Sequence, residues 1–135
     1  MKKTWMQPYV DDHLMVESNG VQLTSAAIIS HHYGAVWAQS ANFPWFSVEE
    51  IDEILEEFKK PGKLVQTGLS LGGTKYIVIP GEQRDVIRGV RGSYGITVKK
   101  TNRVLLVGIH NQWLALAQCS ELLEKTANLL IKEGF

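Results

Sequence analysis

The 135-residue chain is expected to fold as an α/β protein built around a mainly antiparallel sheet. Three observations carry that expectation. Short β-branched and apolar runs follow one another in the second half of the chain, instead of alternating with helices as in a doubly wound parallel fold. The dipeptides Gly72-Gly73 and Thr101-Asn102 fall between such runs and suit tight antiparallel hairpins. Both ends of the chain carry segments with the apolar spacing of amphipathic helices.

Taken in order, Thr4 to Val16 reads as the first helix, with Trp5, Tyr9, Val10, His13 and Leu14 on related faces. Pro8 suits a first turn, so the helix can equally begin there. Leu23–Ser30 and Ala35–Ser40 are rich in small and β-branched residues and flank Tyr33-Gly34, which predicts a strand pair joined by a turn. Val48 to Lys60 is the clearest helix. Ser47 and Glu50 make a capping-box pattern, Val48, Ile51, Ile54, Leu55 and Phe58 recur at helical spacing, and Pro61-Gly62 ends the run. Strands are expected near Gln66–Leu71, Lys75–Ile79, Val86–Arg91, Ile96–Lys100 and Arg103–Ile109. A last helix runs from about Ala115 to Lys132 with Cys119, Leu122, Leu123, Ala127, Leu130 and Ile131 as its apolar stripe, and Gly134 is placed to cap it.

Composition sets the bounds. A chain of this length makes one domain, residues 1–135, with one core. The formal net charge is zero, so no overall field selects nucleic acid or a membrane surface, and no nucleic-acid recognition motif is present. No apolar run approaches a membrane span and the start of the chain lacks a secretory signal. Cys119 is the only cysteine, which rules out an internal disulfide and points to a reducing compartment, the cytosol.

Chemistry-bearing residues give no active site, so an enzyme is not expected and neither is a cofactor. His13, His31, His32 and His110 lack metal-ligand spacing with a cysteine. His31-His32 is read as a solvated turn, and Cys119 as a buried structural thiol. Gly68 to Gly73 has phosphate-loop glycines but no lysine and no following helix, so a hairpin is expected. Asp11-Asp12 and Glu49-Glu50 are adjacent pairs, whose carboxylates diverge on a helix; they read as solvated surface. Charge is segregated all the same. Arg84, Arg88, Arg91, Lys99, Lys100 and Arg103 face one acid, Asp85, a local excess of five, whereas Glu49–Glu57 holds six acids and no base. Two readings of the basic stretch stand: charge protecting a strand edge, or a surface for an acidic partner.

Val10-Asp11-Asp12-His13-Leu14-Met15, Leu23 to Ile29, Val36-Trp37-Ala38-Gln39-Ser40, Leu71 to Tyr76 and Gly95 to Thr101 stand in an order and spacing that closely resemble profilin, and the plant branch of that family in particular. The resemblance runs from about Trp5 to Gly134. It implies a central antiparallel sheet with the terminal helices together on one face and shorter helices on the other. It also implies a monomeric cytoplasmic, cytoskeleton-associated binding protein for monomeric actin, proline-rich proteins and anionic phosphoinositide lipids. By this resemblance Trp5, Tyr9 and Trp37 match a groove for polyproline, in which flat rings pack on pyrrolidine and N–H or O–H groups reach free carbonyls. Leu129 stands where plant relatives carry an aromatic, and Phe135 is a candidate replacement. The implied actin-binding set is Arg88 and Lys100, pointing to one surface, joined by Gln118, Ser120, Glu121 and Lys125; the implied phosphoinositide set is Arg84, Arg88, Arg91, Lys99 and Lys100. The chain departs from the plant pattern in three places: an extra residue within Met6-Gln7-Pro8, Leu129 itself, and His110 to Leu116, which lacks the acidity of its counterpart and gains Trp113. The alternative reading is a protein of the same fold that has weakened or lost actin binding and serves as a scaffold or lipid-binding module.

Overall fold

A computed structural model describes residues 4–17, 20–81, 84–112 and 114–135. Seven strands form one antiparallel sheet: β1 (Ser25–Ser30), β2 (Val36–Gln39), β3 (Leu69–Leu71), β4 (Thr74–Ile79), β5 (Val86–Arg91), β6 (Tyr94–Lys100) and β7 (Val104–His110). Their spatial order is β2-β1-β7-β6-β5-β4-β3. Three α-helices accompany them: α1 (Val48–Lys59), α2 (Lys63–Thr67) and α3 (Leu116–Lys132). The expected fold class is thus the observed one.

All seven residues of β7 and all six of β1 are buried. In an antiparallel sheet such runs mean that both faces are covered. On one face Ala27, Ile29, Ile96, Val98, Leu105 and Val107 meet Ile51 and Ile54 of α1 and Leu64 of α2. On the other, Ala26, Ile28, Val104 and Leu106 meet Met6, Val10 and Leu14 of the N-terminal segment and Cys119, Leu123, Ala127 and Leu130 of α3. The terminal helices therefore share one face and the short helices take the other.

Most element boundaries lie within two residues of their sequence expectation, and the exceptions have local causes. The first helix is not an α-helix. It starts as a 3-10 turn at Thr4–Met6 and continues as a π-helix at Tyr9–Leu14, where the Met15 N–H bonds the Val10 carbonyl at 2.8 Å, an i→i+5 bond. Val16, expected inside the helix, lies past its end. A π turn takes in one residue more than an α turn, and Pro8 at its start keeps helical angles of −58° and −28°. The strand expected from Gln66 starts only at Leu69, because α2 occupies Lys63–Thr67. The β-forming residues Val65 and Thr67 are overridden there by Glu57. Its buried carboxylate accepts the Gly62 N–H at 2.9 Å and the Leu64 N–H at 3.0 Å and so satisfies the start of α2.

Glu50 likewise does more than cover surface. The expected capping box forms, with the Ser47 hydroxyl accepting the Glu50 N–H at 3.2 Å and the Glu50 carboxylate accepting the Ser47 N–H at 2.9 Å. The same carboxylate then accepts the N–H groups of Gly72 and Gly73 at 3.1 and 3.0 Å. Both glycines have positive φ, at 62° and 79°, as the two-residue β3–β4 hairpin requires. These bonds outweigh the burial that acts against the charged form, and they hold the Glu50 carboxyl below the usual carboxylate range. α1 is thereby tied to the far edge of the sheet.

Gly95 and Gly108 let the α3 face close up. A Cβ on Gly108 would lie 3.1 Å from Cys119 Sγ, and one on Gly95 would lie 2.5 Å from Nε2 of the buried His110 ring. Alanine in place of glycine ordinarily stabilises a strand slightly by restricting the unfolded chain. Here the clash decides the sign: Gly95→Ala is expected to lower stability by about 1–3 kcal/mol, read from the urea midpoint. An unchanged or higher midpoint would show that the His110 ring yields freely.

Candidate functional site

Among the described residues, two of the surfaces that combine exposed apolar groups with polar groups lie toward opposite ends of α3. The first is aromatic. The 3-10 turn carries Trp5 outward, while its neighbour Met6 is fully buried. β2 carries Trp37 into the same region, only 9% exposed. α3 ends in a Schellman arrangement: the Gly134 N–H bonds the Ile131 carbonyl at 3.0 Å, the Phe135 N–H bonds the Leu130 carbonyl at 2.9 Å, and Gly134 has φ 96°. That turn swings the Phe135 ring between the tryptophans. Ring centroids are 5.3 Å apart for Trp5–Phe135 and 5.6 Å for Trp37–Phe135, the latter edge to face. The Phe135 backbone oxygen is held by the Arg103 N–H at 3.0 Å and the Thr101 hydroxyl at 2.8 Å, so the cluster is anchored to the β6–β7 turn.

Of the five aromatic-groove residues expected, Trp5, Trp37 and Phe135 come together. Tyr9 is half-buried, and its ring stands 5.8 Å from that of His13. Leu129 is exposed on α3, one residue before the Leu130 carbonyl that anchors Phe135.

The second surface is the part of the sheet that α3 does not reach. α3 lies across β6 and β7. Beyond it, Ile77 and Ile79 of β4 are 70% and 38% exposed and stand opposite Val90 and Arg88 of β5. Arg88 Nε donates to the Ser120 hydroxyl of α3 at 3.0 Å, which fixes the guanidinium at the border of this strip. Glu121 and Lys125 are exposed beyond it on α3. Gln118 has a structural task, because its side-chain oxygen accepts the Ala115 N–H at 3.0 Å at the start of the helix. The residues missed by sequence reasoning are Ile77, Ile79 and Val90. Their signal was the unbroken apolar run Tyr76-Ile77-Val78-Ile79 in a strand where one face should have alternated to polar.

Lys100 corrects an expectation. It does not share a surface with Arg88. Arg88 is paired with Thr97, and side chains alternate along β6, so Thr97 and Lys99 lie on the α3 side with Arg88 while Lys100 points to the opposite face. Lys100 is cross-paired with Leu105, a residue of the core under α1, and Lys99 with Leu106, a residue of the core under α3. The basic excess of 84–103 is not one patch either. Lys99 is buried and forms ion pairs with Asp85 and, at 3.0 Å, with Glu124. Burial opposes its charge, but those carboxylates outweigh burial and raise its pKa. Arg84 is exposed before β5, and Arg91 is exposed at the other end of that strand, where it donates to the Lys75 carbonyl at 3.2 Å.

Histidine and cysteine placements complete the picture. His31 is half-buried rather than solvated, and among the described residues its Nε2 makes no hydrogen bond; His32 is exposed. Cys119 is buried as expected, and burial pushes its thiol up to about 11. Among the described residues no three His, Cys, Asp or Glu side chains converge as metal ligands, and no helix is long and apolar enough to cross a membrane. Trp113, read as a candidate contact or packing group, lies outside the described residues.

The comparisons with known proteins agree with this geometry. The family model for profilin matches residues 3–135, and the chain belongs to the profilin family. Acanthamoeba castellanii profilin II shares 33% identity with a TM-score of 0.82, over 96% of this chain and 98% of that one. Schizosaccharomyces pombe profilin shares 32% identity with a TM-score of 0.82, over 96% and 98%. Mouse profilin IIa, solved in complex with a double repeat from the FH1 domain of mDia1, shares 26% identity with a TM-score of 0.77, over 96% and 99%.

Two outcomes are expected from the buried titrating groups. Burial lowers the His31 pKa from its ordinary 6.5, with the Val104 backbone acting against this and the Lys100 charge adding to it. The unfolded chain then takes up a proton that the folded one resists. Stability is therefore full above pH 6.5 and is lost as pH falls below it toward the folded-state pKa. Thermal melts across this range should show the loss, and His31→Gln should flatten it; an unaltered slope would assign the loss to other groups. Cys119 should resist alkylation at neutral pH in the native protein and react promptly in denaturant, because little thiolate forms at a pKa of about 11. Fast native labelling would contradict a closed α3 face.

Proposed function

We propose that this profilin is a cytoplasmic, cytoskeleton-associated actin-monomer-binding protein that also engages proline-rich segments, and that it works by binding rather than by catalysis. The observation that carries the actin assignment is the uncovered strip of Ile77, Ile79 and Val90 bordered by Arg88 and the first half of α3. An exposed apolar strip with a polar rim has the make-up of a protein–protein interface. Arg88, Ser120, Glu121 and Lys125 then set register at the rim, while Lys100, on the opposite face, is left outside this contact. The proline-rich assignment is supported by the Trp5–Phe135–Trp37 cluster and by the mouse relative solved with an FH1 repeat.

Anionic lipid contact is the lesser part of the reading. Arg84, Arg91 and Lys100 would carry it, since Lys99 is already neutralised by Asp85 and Glu124 and Arg88 is engaged with Ser120. The plant-branch likeness rests on the motif pattern between Val10 and Thr101, while the three relatives described come from an amoeba, a yeast and a mouse.

The deciding experiment is inhibition of spontaneous actin nucleation by the purified protein. Wild type should slow nucleation. Ile77→Asp and Arg88→Glu should each weaken that effect roughly tenfold or more, the scale of about 1.4 kcal/mol or above at an interface hot spot. Trp5→Ala should leave it intact while weakening polyproline affinity by a similar factor. Trp5 is the cleaner probe than Trp37, since Trp5 is 51% exposed and truncating the buried Trp37 would also cost core packing. No inhibition by wild type at any accessible concentration would favour the scaffold or lipid-binding alternative.

A further inference from the structure

Next to the aromatic cluster lies a cleft of about 510 Å³ lined by Ser30, His31, His32, Trp37, Asn102 and Arg103, and it shares Trp37 with the cluster. Arg103 is the bridge between the two. Its guanidinium carbon stands 4.9 Å from the Phe135 ring centroid and 5.7 Å from that of Trp37. A guanidinium stacked on rings keeps its edge N–H groups free for an anion. The side chain is exposed, and among the described residues it makes no ion pair; the acidic groups Asp85 and Glu124 are both held by Lys99. The rest of the cleft adds donors and no carboxylate: the Asn102 amide, two imidazoles and the Ser30 hydroxyl. Lys100 lies close enough for its charge to be felt at His31, so a second cation stands near the cleft.

We propose that this cleft is a specificity subsite for an anionic side chain flanking a proline-rich segment, with Arg103 as its reader. The proposal rests on the aromatic cluster being the proline-rich site. A polyproline helix leaves the cluster as an extended rod, and its next residues advance about 3.1 Å each, so the first or second residue past the last packed proline falls over the Arg103 guanidinium. A carboxylate or phosphate there accepts bidentate N–H bonds from a cation already ordered by two rings. Neutral or basic flanks gain nothing from the cleft, and basic ones are repelled.

The test is fluorescence titration of the intact protein with three proline decamers: one flanked by two aspartates, one by serine and glycine, and one by two lysines, each flank placed in turn at either end. In dilute salt the aspartate peptide should bind roughly two- to fivefold tighter than the neutral one at one of the two ends, the range of an exposed ion pair. The gain should vanish in 0.5 M salt, an added condition that shortens screening to roughly a few ångström. Arg103→Gln should abolish the preference, so that acidic and neutral peptides bind alike, and Arg103→Glu should reverse it toward lysine, an outcome that a merely structural role for Arg103 would not produce. A phosphoserine flank in place of aspartate should bind at least as tightly, because the guanidinium pairs with either group through charge and two oxygens; loss of the gain with phosphoserine would overturn a charge-reading Arg103. Equal affinity for acidic and neutral peptides at both ends, or a preference that survives Arg103→Gln, overturns the subsite and leaves the proline-rich reading standing. Failure of all three peptides to bind overturns both.

Discussion

The structure depends on a sheet in which two neighbouring strands, β1 and β7, are buried on both sides. β1 and β7 expose nothing to water, so every other element is placed by the need to cover one of their faces. At roughly 25 cal/mol for each Å² of apolar surface removed from water, leaving either face of such a strand bare would cost a large share of the stability of a small domain. One cover is made by α1 and α2, the other by α3 with the N-terminal segment. Helix coverage on the α3 side thins beyond β6, and the apolar residues of β4 past that limit stay exposed. The exposed strip is the remainder of an incomplete layer.

Polar groups then fix how the layers meet. Buried or half-buried carboxylates and hydroxyls act as local ties rather than as reagents. Glu57 closes the α1–α2 corner, Glu50 links α1 to the β3–β4 turn, and Thr101 with Arg103 pins the end of α3. Each satisfies backbone groups that would otherwise be stranded at an element's end. The same economy explains why the charged residues of β6 do not make a patch. Strand alternation sends Lys99 and Lys100 to opposite faces, and the one directed inward must find carboxylates.

Much of this was legible in the sequence. Ser47 and Glu50 announced α1, Gly72-Gly73 and Thr101-Asn102 announced their hairpins, and Gly134 announced the end of α3. These signals are local: a few adjacent residues contain the whole physical cause. What escaped depends on distant partners. The π winding after Pro8 follows from burying Met6, Val10 and Leu14 together under α3. The half-buried state of His31, the tie from Glu57 to α2 and the inward turn of Lys99 all require residues far along the chain. The site shows the same division. Trp5 and Trp37 could be named only through the family resemblance, whereas the exposure of Ile77 and Ile79 follows only from knowing where α3 ends its reach.

α3 also acts as a ruler. Its seventeen residues span about 25 Å at 1.5 Å per residue, with the Arg88–Ser120 contact near one end and Phe135 past the other. Because the helix is packed along the sheet, that separation is set by the hydrogen-bonded helical rise and does not drift with thermal motion of loops. A single extended ligand reaching from the aromatic cluster to whatever docks beside Arg88 would need a spacer of about eight residues in a polyproline helix. Shorter spacers would force a choice between the two ends, so linker length in a partner chain becomes a coded quantity, measured against one rigid rod.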